Sequence, residues 1–158
     1  MENQVPIEIL RVYMKDVSFE TPNSPETFQV EGEARITVDY QINSQKLQEM
    51  EDKNIFESSL TITAHALLGE KTVYLLEATQ AAIIALPKLP NSENKMFLNG
   101  YCPDMLLPYL REFVSSMTTR GTVPMLMLKP ESFSARVMME MQQSQAQQGT
   151  EEQGKLDA

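Results

Sequence analysis

Hydrophobic and polar residues alternate through the first half of the chain and then change period. Ala34, Ile36, Val38, Tyr40 and Ile42 occupy every second position, with Arg35, Thr37, Asp39 and Gln41 between them. A period of two puts each set on its own face of a β-strand, and this is the clearest strand in the sequence. Over residues 7–19 the alternation runs through Ile7 and Ile9, then Leu10, Val12 and Met14, then Val17 and Phe19, changing phase near Leu10 and again near Val17. One inserted residue, a β-bulge, produces such a change. Thr21-Pro22-Asn23-Ser24-Pro25 ends that strand in a turn. A third strand is expected over Ile55 to Leu67, with Phe56, Leu60, Ile62 and Ala64 on one face and Glu57, Ser59, Thr61, Thr63 and His65 on the other. The polar residues 43–54 before it read as a loop or hairpin connection. Gly69-Glu70 turns the chain into a fourth, strongly apolar strand over 71–86, on which Leu75 and Glu77 share a face with Val73. Four strands with short links and no helical pattern between them imply an antiparallel sheet.

The second half reads as helices. Leu86-Pro87-Lys88-Leu89-Pro90-Asn91 breaks the pattern, after which Met96, Phe97, Leu98, Met105, Leu106, Tyr109, Leu110, Phe113, Val114 and Met117 recur at helical spacings. Pro103 is placed to open the main helix, Pro108 to kink it or sit in its first turn, and Arg120-Gly121 to stop it. Thr122 to Pro130 is an extended apolar loop. A second helix is expected from about Glu131 to Gln143. From Gln142 the chain is rich in Gln, Ser, Gly and Glu, which predicts a disordered tail over 142–158 after a single folded domain over 1–141. The fold class is α+β: a four-stranded antiparallel sheet with two helices on one face.

That architecture leaves apolar surface uncovered. Two helices cover roughly one face of a four-stranded sheet, while its second face and both edges remain. The fourth strand and the 122–128 loop are too apolar to stand in water. A homo-oligomer is therefore expected, with some apolar surface left for a partner.

Charge and composition narrow the partners. The formal net charge of −9 disfavours nucleic acid and anionic membranes. Residues 1–70 hold 13 acidic and 5 basic side chains, so the acid is concentrated in the sheet half, where it serves a basic partner or simply keeps a face solvated. Eleven methionines, five of them between Met125 and Met141, suit either an adaptable binding surface or core gap-filling. A single cysteine, Cys102, excludes an internal disulfide and thiolate-cluster metal sites. Met1-Glu2-Asn3-Gln4-Val5-Pro6 has no basic or apolar leader pattern, and no stretch approaches the roughly 18 apolar residues that span a bilayer. A cytoplasmic location is expected.

Candidate chemistry is sparse. The six glycines are scattered, without a phosphate-binding loop. His65, the only histidine, falls on a polar strand face, and Cys102 sits between Tyr101 and Pro103 as a packed helix start would; a nucleophilic pair of the two has no local support. No cofactor and no catalysis are expected. Asp16 and Glu20 share a face of the first strand by spacing, as do Leu75 and Glu77 on the fourth, which makes a small mixed patch or an ordinary solvated surface.

Three segments resemble the SecB family of bacterial protein-export chaperones: Arg11 to Pro25 (RVYMKDVSFETPNSP), Leu67-Leu68-Gly69-Glu70, and Gly100 to Glu112 (GYCPDMLLPYLRE) continuing through Ser116-Met117 to Arg120-Gly121-Thr122-Val123-Pro124. In order and spacing they cover most of residues 8–141. The resemblance implies a homotetramer built as a dimer of dimers, long apolar grooves that bind unfolded precursor proteins, and delivery of those precursors to SecA, the translocation motor. It implies SecA docking at Asp16, Glu20, Leu75 and Glu77. It implies a groove lined by Phe28, Ile36, Val38, Tyr40, Leu126, Phe133, Val137 and Met141. A chaperone dedicated to one partner, such as an antitoxin, is the alternative within the same family. The chain departs from the pattern in two places. It has no tryptophan after Phe28-Gln29, where Gly32 lies, and Ala81-Ala82 replaces the family's paired glycines.

Overall fold

The computed structural model describes residues 6–156, so Met1 to Val5, on which the leader-free reading rests, lie outside it. Four strands, β1 (Glu8–Glu20), β2 (Arg35–Glu49), β3 (Lys53–Leu68) and β4 (Lys71–Pro87), form one antiparallel sheet in the order β1-β4-β3-β2. The region read as a loop over 43–54 is mostly strand. β2 continues to Glu49 and β3 begins at Lys53, with Met50 N–H donating to the Lys53 carbonyl at 2.8 Å across the hairpin. This stretch lacks apolar alternation because residues 45–49 are exposed on both faces; backbone pairing to β3 carries it.

Helix α1 (Asn91–Met96) runs through a π-helical turn (Phe97–Tyr101) into α2 (Cys102–Arg120), and α3 is Phe133–Leu156. Leu106, Leu110, Val114 and Thr118 recur every fourth residue and form the buried stripe of α2, which packs on β3 and β4. Opposite it the sheet buries Leu60, Ile62 and Ala64 of β3 and Tyr74, Leu76 and Ala78 of β4. Ser58 of β3 donates to the Leu98 carbonyl at 2.7 Å and ties the π-helical turn to the sheet. Pro108 lies inside α2, where it cannot donate to the Asp104 carbonyl. α3 passes beyond Gln143 into the segment expected to be disordered. Glutamine, glutamate and alanine are adequate helix formers, and residues 142–147 are exposed, so propensity rather than burial carries that stretch.

Extra residues adjust the register. Leu10 and Lys15 stand outside the β1–β4 pairing, so the first phase change falls where expected and the second falls two residues before Val17. On β4, Ala66 pairs with Tyr74 and Leu67 with Thr72, which leaves Val73 as an added residue. Val73 therefore enters the core beside Tyr74 instead of sharing the outer face of Leu75 and Glu77. The stop at Gly121 also works differently from expectation. Thr122, not Gly121, adopts the left-handed conformation (φ 54°), and Gly121 is needed because a Cβ there would lie 2.7 Å from the Phe19 ring.

Candidate functional site

The face turned towards the helices holds a groove beside β2. Ile36, Val38, Tyr40 and Ile42 alternate inward and are half-buried. Opposite them the chain from Thr122 to Pro130 runs as an extended strap, with Leu126 and Leu128 buried and Met125 and Met127 turned outward. Hydrogen bonds to α2 hold the strap: Val123 N–H donates to the Thr118 carbonyl at 3.3 Å, Leu126 N–H donates to the buried Thr118 hydroxyl at 3.1 Å, and Arg111 Nε donates to the Leu128 carbonyl at 3.0 Å. Among the described residues β2 pairs only with β3, so its other edge is open there.

Three cavities follow β2 in sequence order. The first, about 340 Å³, lies beside Ala34 and is lined by Phe28, Val30, Leu68, Val73 and Val123. The second, about 470 Å³, lies between Ile36, Val38 and Tyr40 on one side and Leu126 to Lys129 on the other. The third, about 190 Å³, joins Ile42 to Phe133 and Val137. From Ala34 to Ile42 the groove runs about 26 Å at strand rise. Its floor carries an aromatic pair, Tyr40 against Phe133, edge to face at 5.5 Å, with the Arg136 guanidinium 5.3 Å from the Phe133 ring centre. Burial, with the nearby Glu131 carboxylate, pushes the Tyr40 phenol above its ordinary value. Gly32, at the position where the tryptophan is missing, has φ +134° and lines the first cavity.

Seven of the eight groove residues expected from sequence thus line these cavities. Met141 is half-buried one turn beyond Val137 and lines none of them. The sequence reading missed the charged rim of Asp39, Lys129, Glu131 and Arg136, and it missed Met127 as part of the lip. The period-two order of Met125 to Leu128 was the available signal.

The opposite, outer face carries the other candidate residues. Glu20 pairs across strands with Leu75, Ser18 with Glu77, and Asp16 with Thr79, so all four expected docking residues lie on one surface. Leu75 is 38% exposed among them, and a shallow cavity of about 280 Å³ lies between Ser18, Glu20, Thr63, Leu75 and Glu77. Thr63 also pairs with Asp39, which extends the acidic row onto β2. Further along this face, Tyr13 and Lys15 of β1 and Gln45 of β2 converge on Glu57 of β3, Lys15 at 2.5 Å and Gln45 at 3.1 Å. The Lys15 and Tyr13 hydrogen bonds hold the Glu57 carboxyl below its ordinary value although its side chain is only 12% exposed.

His65 lies on the outer face with its Nε2 3.0 Å from the Thr72 hydroxyl, while Cys102 is buried in the core on the helix side. The sheet separates them. Burial pushes the Cys102 thiol up, away from a thiolate. Among the described residues no group of His, Cys, Asp or Glu could hold a metal ion, and no helix is long and apolar enough to cross a membrane.

An open strand edge, an apolar trough and a facing extended strap are features suited to a protein of the chaperone class that binds extended polypeptide. Comparison with known proteins supplies the family. Residues 1–146 match the family described as Preprotein translocase subunit SecB. The Protein-export protein SecB of Methylococcus capsulatus is 41% identical over 149 residues, which is 92% of this chain and 94% of that relative. A SecB-like chaperone of Mycobacterium tuberculosis, solved with a ChAD peptide from an antitoxin, superposes with a TM-score of 0.60 at 18% identity over 80% of this chain and 91% of that one, a likeness of fold. The chain belongs to the SecB family, and its function is that of a protein-export chaperone, in a family that is not one of enzymes.

Proposed function

We propose that the groove along β2 receives extended segments of unfolded precursor proteins and that the outer face hands them to SecA in the cytoplasm. The observation that carries this reading is the succession of three separate cavities along β2, beside an open strand edge. At about 26 Å the groove spans roughly eight extended residues. Burial contributes about 25 cal/mol per Å² of apolar surface whichever apolar side chain supplies it, so length of contact replaces sequence readout. The open edge of β2 adds backbone hydrogen bonding that any extended chain supplies. A fast-folding protein hides such segments before capture, which makes the selection kinetic.

The same proposal gives β1 to self-association. Ile9, Leu10, Met14 and Val17 are 37–54% exposed on this edge strand, which packs chiefly on β4. A second copy would cover them, in a homotetramer arranged as a dimer of dimers. The acidic outer face, with Leu75 between Glu20 and Glu77, would dock SecA.

Native mass measurement with a reduced, unfolded precursor tests the whole. A species of four chains that takes up one precursor supports it; a particle indifferent to unfolded chains rejects it. Several unrelated precursors separate a general export chaperone from one dedicated to a single partner. Glu77→Lys is expected to weaken SecA binding about tenfold while precursor binding persists, since it reverses a charge in the docking row; unchanged SecA affinity would remove that patch from the mechanism.

A further inference from the structure

Methionine occupies the line where the lip of the groove meets solvent. Met125 and Met127 are each 58% exposed between the inward Leu126 and Leu128. Met127 borders the 470 Å³ cavity, and the Met125 sulfur lies 4.0 Å from the Ser115 hydroxyl of α2. Met125 itself lines no cavity but stands between Pro124 of the 340 Å³ cavity and Leu126 of the 470 Å³ cavity, whereas Met138 and Met139 of α3, 48% and 59% exposed, lie off the strap and line none of the four cavities described. Cys102 is 4% exposed, so the sulfur presented at the groove is thioether and not thiol.

We propose that Met125 and Met127 form a reversible oxidation site that switches the groove from retaining its polypeptide to releasing it, with a hydroperoxide as the oxidant. The switch rests on the groove reading above. A thioether lone pair attacks the terminal peroxide oxygen, the O–O bond breaks, and the departing oxygen leaves as water or an alcohol; sulfur is oxidised by two electrons to the sulfoxide and the peroxide is reduced. Two thiols of a reductase return it, yielding a disulfide and water. Before oxidation these side chains are flexible and apolar, and they mould to whatever segment lies beside them. Afterwards each presents a strong acceptor oxygen that an apolar segment cannot satisfy, so seating the client against the lip strips water from an unpaired dipole. Leu126 and Leu128 cannot be oxidised in this way, so the strap keeps its anchorage while its outer surface changes polarity.

The test treats the full-length protein with hydrogen peroxide, maps sulfoxides by peptide mass spectrometry and follows release of a reduced, unfolded precursor. Sulfoxide is expected at Met125 and Met127 before the half-buried Met96, Met105 and Met117, with release about tenfold faster and reversed by methionine sulfoxide reductases. Met125→Leu/Met127→Leu protein should keep its own pre-treatment release rate through the same dose, while Met138→Leu/Met139→Leu protein should still accelerate. Two results overturn the switch: wild type carrying both sulfoxides yet releasing at its untreated rate, or Met125→Leu/Met127→Leu protein accelerating as much as wild type. Untreated protein that retains no precursor rejects the groove reading itself, and the switch with it.

Discussion

β1 and β2 both lie at an edge of the sheet with one neighbour each, yet β1 sets two residues, Leu10 and Lys15, outside its ladder within 13 residues, while β2 keeps its alternation from Arg35 to Lys46 before Leu47 interrupts it. A bulged edge twists, bends and loses register with an arbitrary strand. A regular edge accepts any extended chain in register. On the proposed reading β1 then takes one partner of fixed shape, a second copy, and β2 many partners with no shape of their own. Edge regularity, more than hydrophobicity, separates the two, because both strands present apolar side chains on the face towards the helices.

The comparison breaks most sharply at Val38. Val38→Asp puts a carboxylate on the groove floor and is expected to weaken precursor binding about a hundredfold, with the assembly intact; fluorescence titration with unfolded precursor would measure it. Met14→Asp on β1 should do the reverse, weakening self-association by about thirtyfold in sedimentation equilibrium while each chain still binds precursor. A precursor affinity that falls with Met14 as steeply as with Val38 would show that the edges do not divide their roles.

Two smaller effects sharpen the β1 side. Lys15→Ala removes the cation from Glu57, and since Lys15 is itself 45% exposed the expected loss is about 1 kcal/mol of unfolding free energy, measured by denaturant titration. The pH dependence gives the sign. The folded Glu57 carboxyl is held below its ordinary value, so its contribution is complete above that ordinary value and is lost as acid carries the pH down through the lowered one. Glu57→Gln should flatten this acid limb. Tyr74, stacked on Phe19 of β1 at 6.0 Å, is fully buried and its hydroxyl has no hydrogen-bond partner among the described residues. Tyr74→Phe is expected to stabilise by about 0.5–1 kcal/mol. Burial pushes the Tyr74 phenol up to about 12, so native stability is complete below the ordinary value of 10.0 and falls as pH rises towards 12. The phenylalanine variant should lose part of that alkaline decline, and Tyr13, also near 12, should keep the rest.

The sheet was legible wherever one face is buried and the other wet, because period two then appears directly in the side chains. It failed at both extremes. Residues 73–76 are four apolar side chains in a row, so the added Val73 left no trace in the pattern. Residues 45–49 are exposed on both faces, so a true strand read as loop. Lys15 was misplaced by two residues because Met14 and Val17, three apart, are both apolar and hide where the ladder skips. The groove floor was legible through Ile36, Val38 and Tyr40 on their strand. Its rim was not, since Asp39, Lys129, Glu131 and Arg136 come together only when the strap folds back over β2. The four outer-face residues were legible as same-face pairs on two strands, but that Glu20 stands opposite Leu75 depends on the skipped Lys15.

Asp104 of α2 accepts hydrogen bonds from Phe133 N–H at 2.6 Å, from Ser134 N–H at 3.3 Å and from the Ser134 hydroxyl, and so caps the start of α3. The same helix fastens Leu126 and Leu128. The strap and the start of α3 are therefore moored to one helix and hold their place with it. A single extended chain needs about 4.8 Å beside its neighbour, whereas a helix needs about 10 Å. How far the moored strap stands from β2 therefore decides whether a strand or a helix can lie between them.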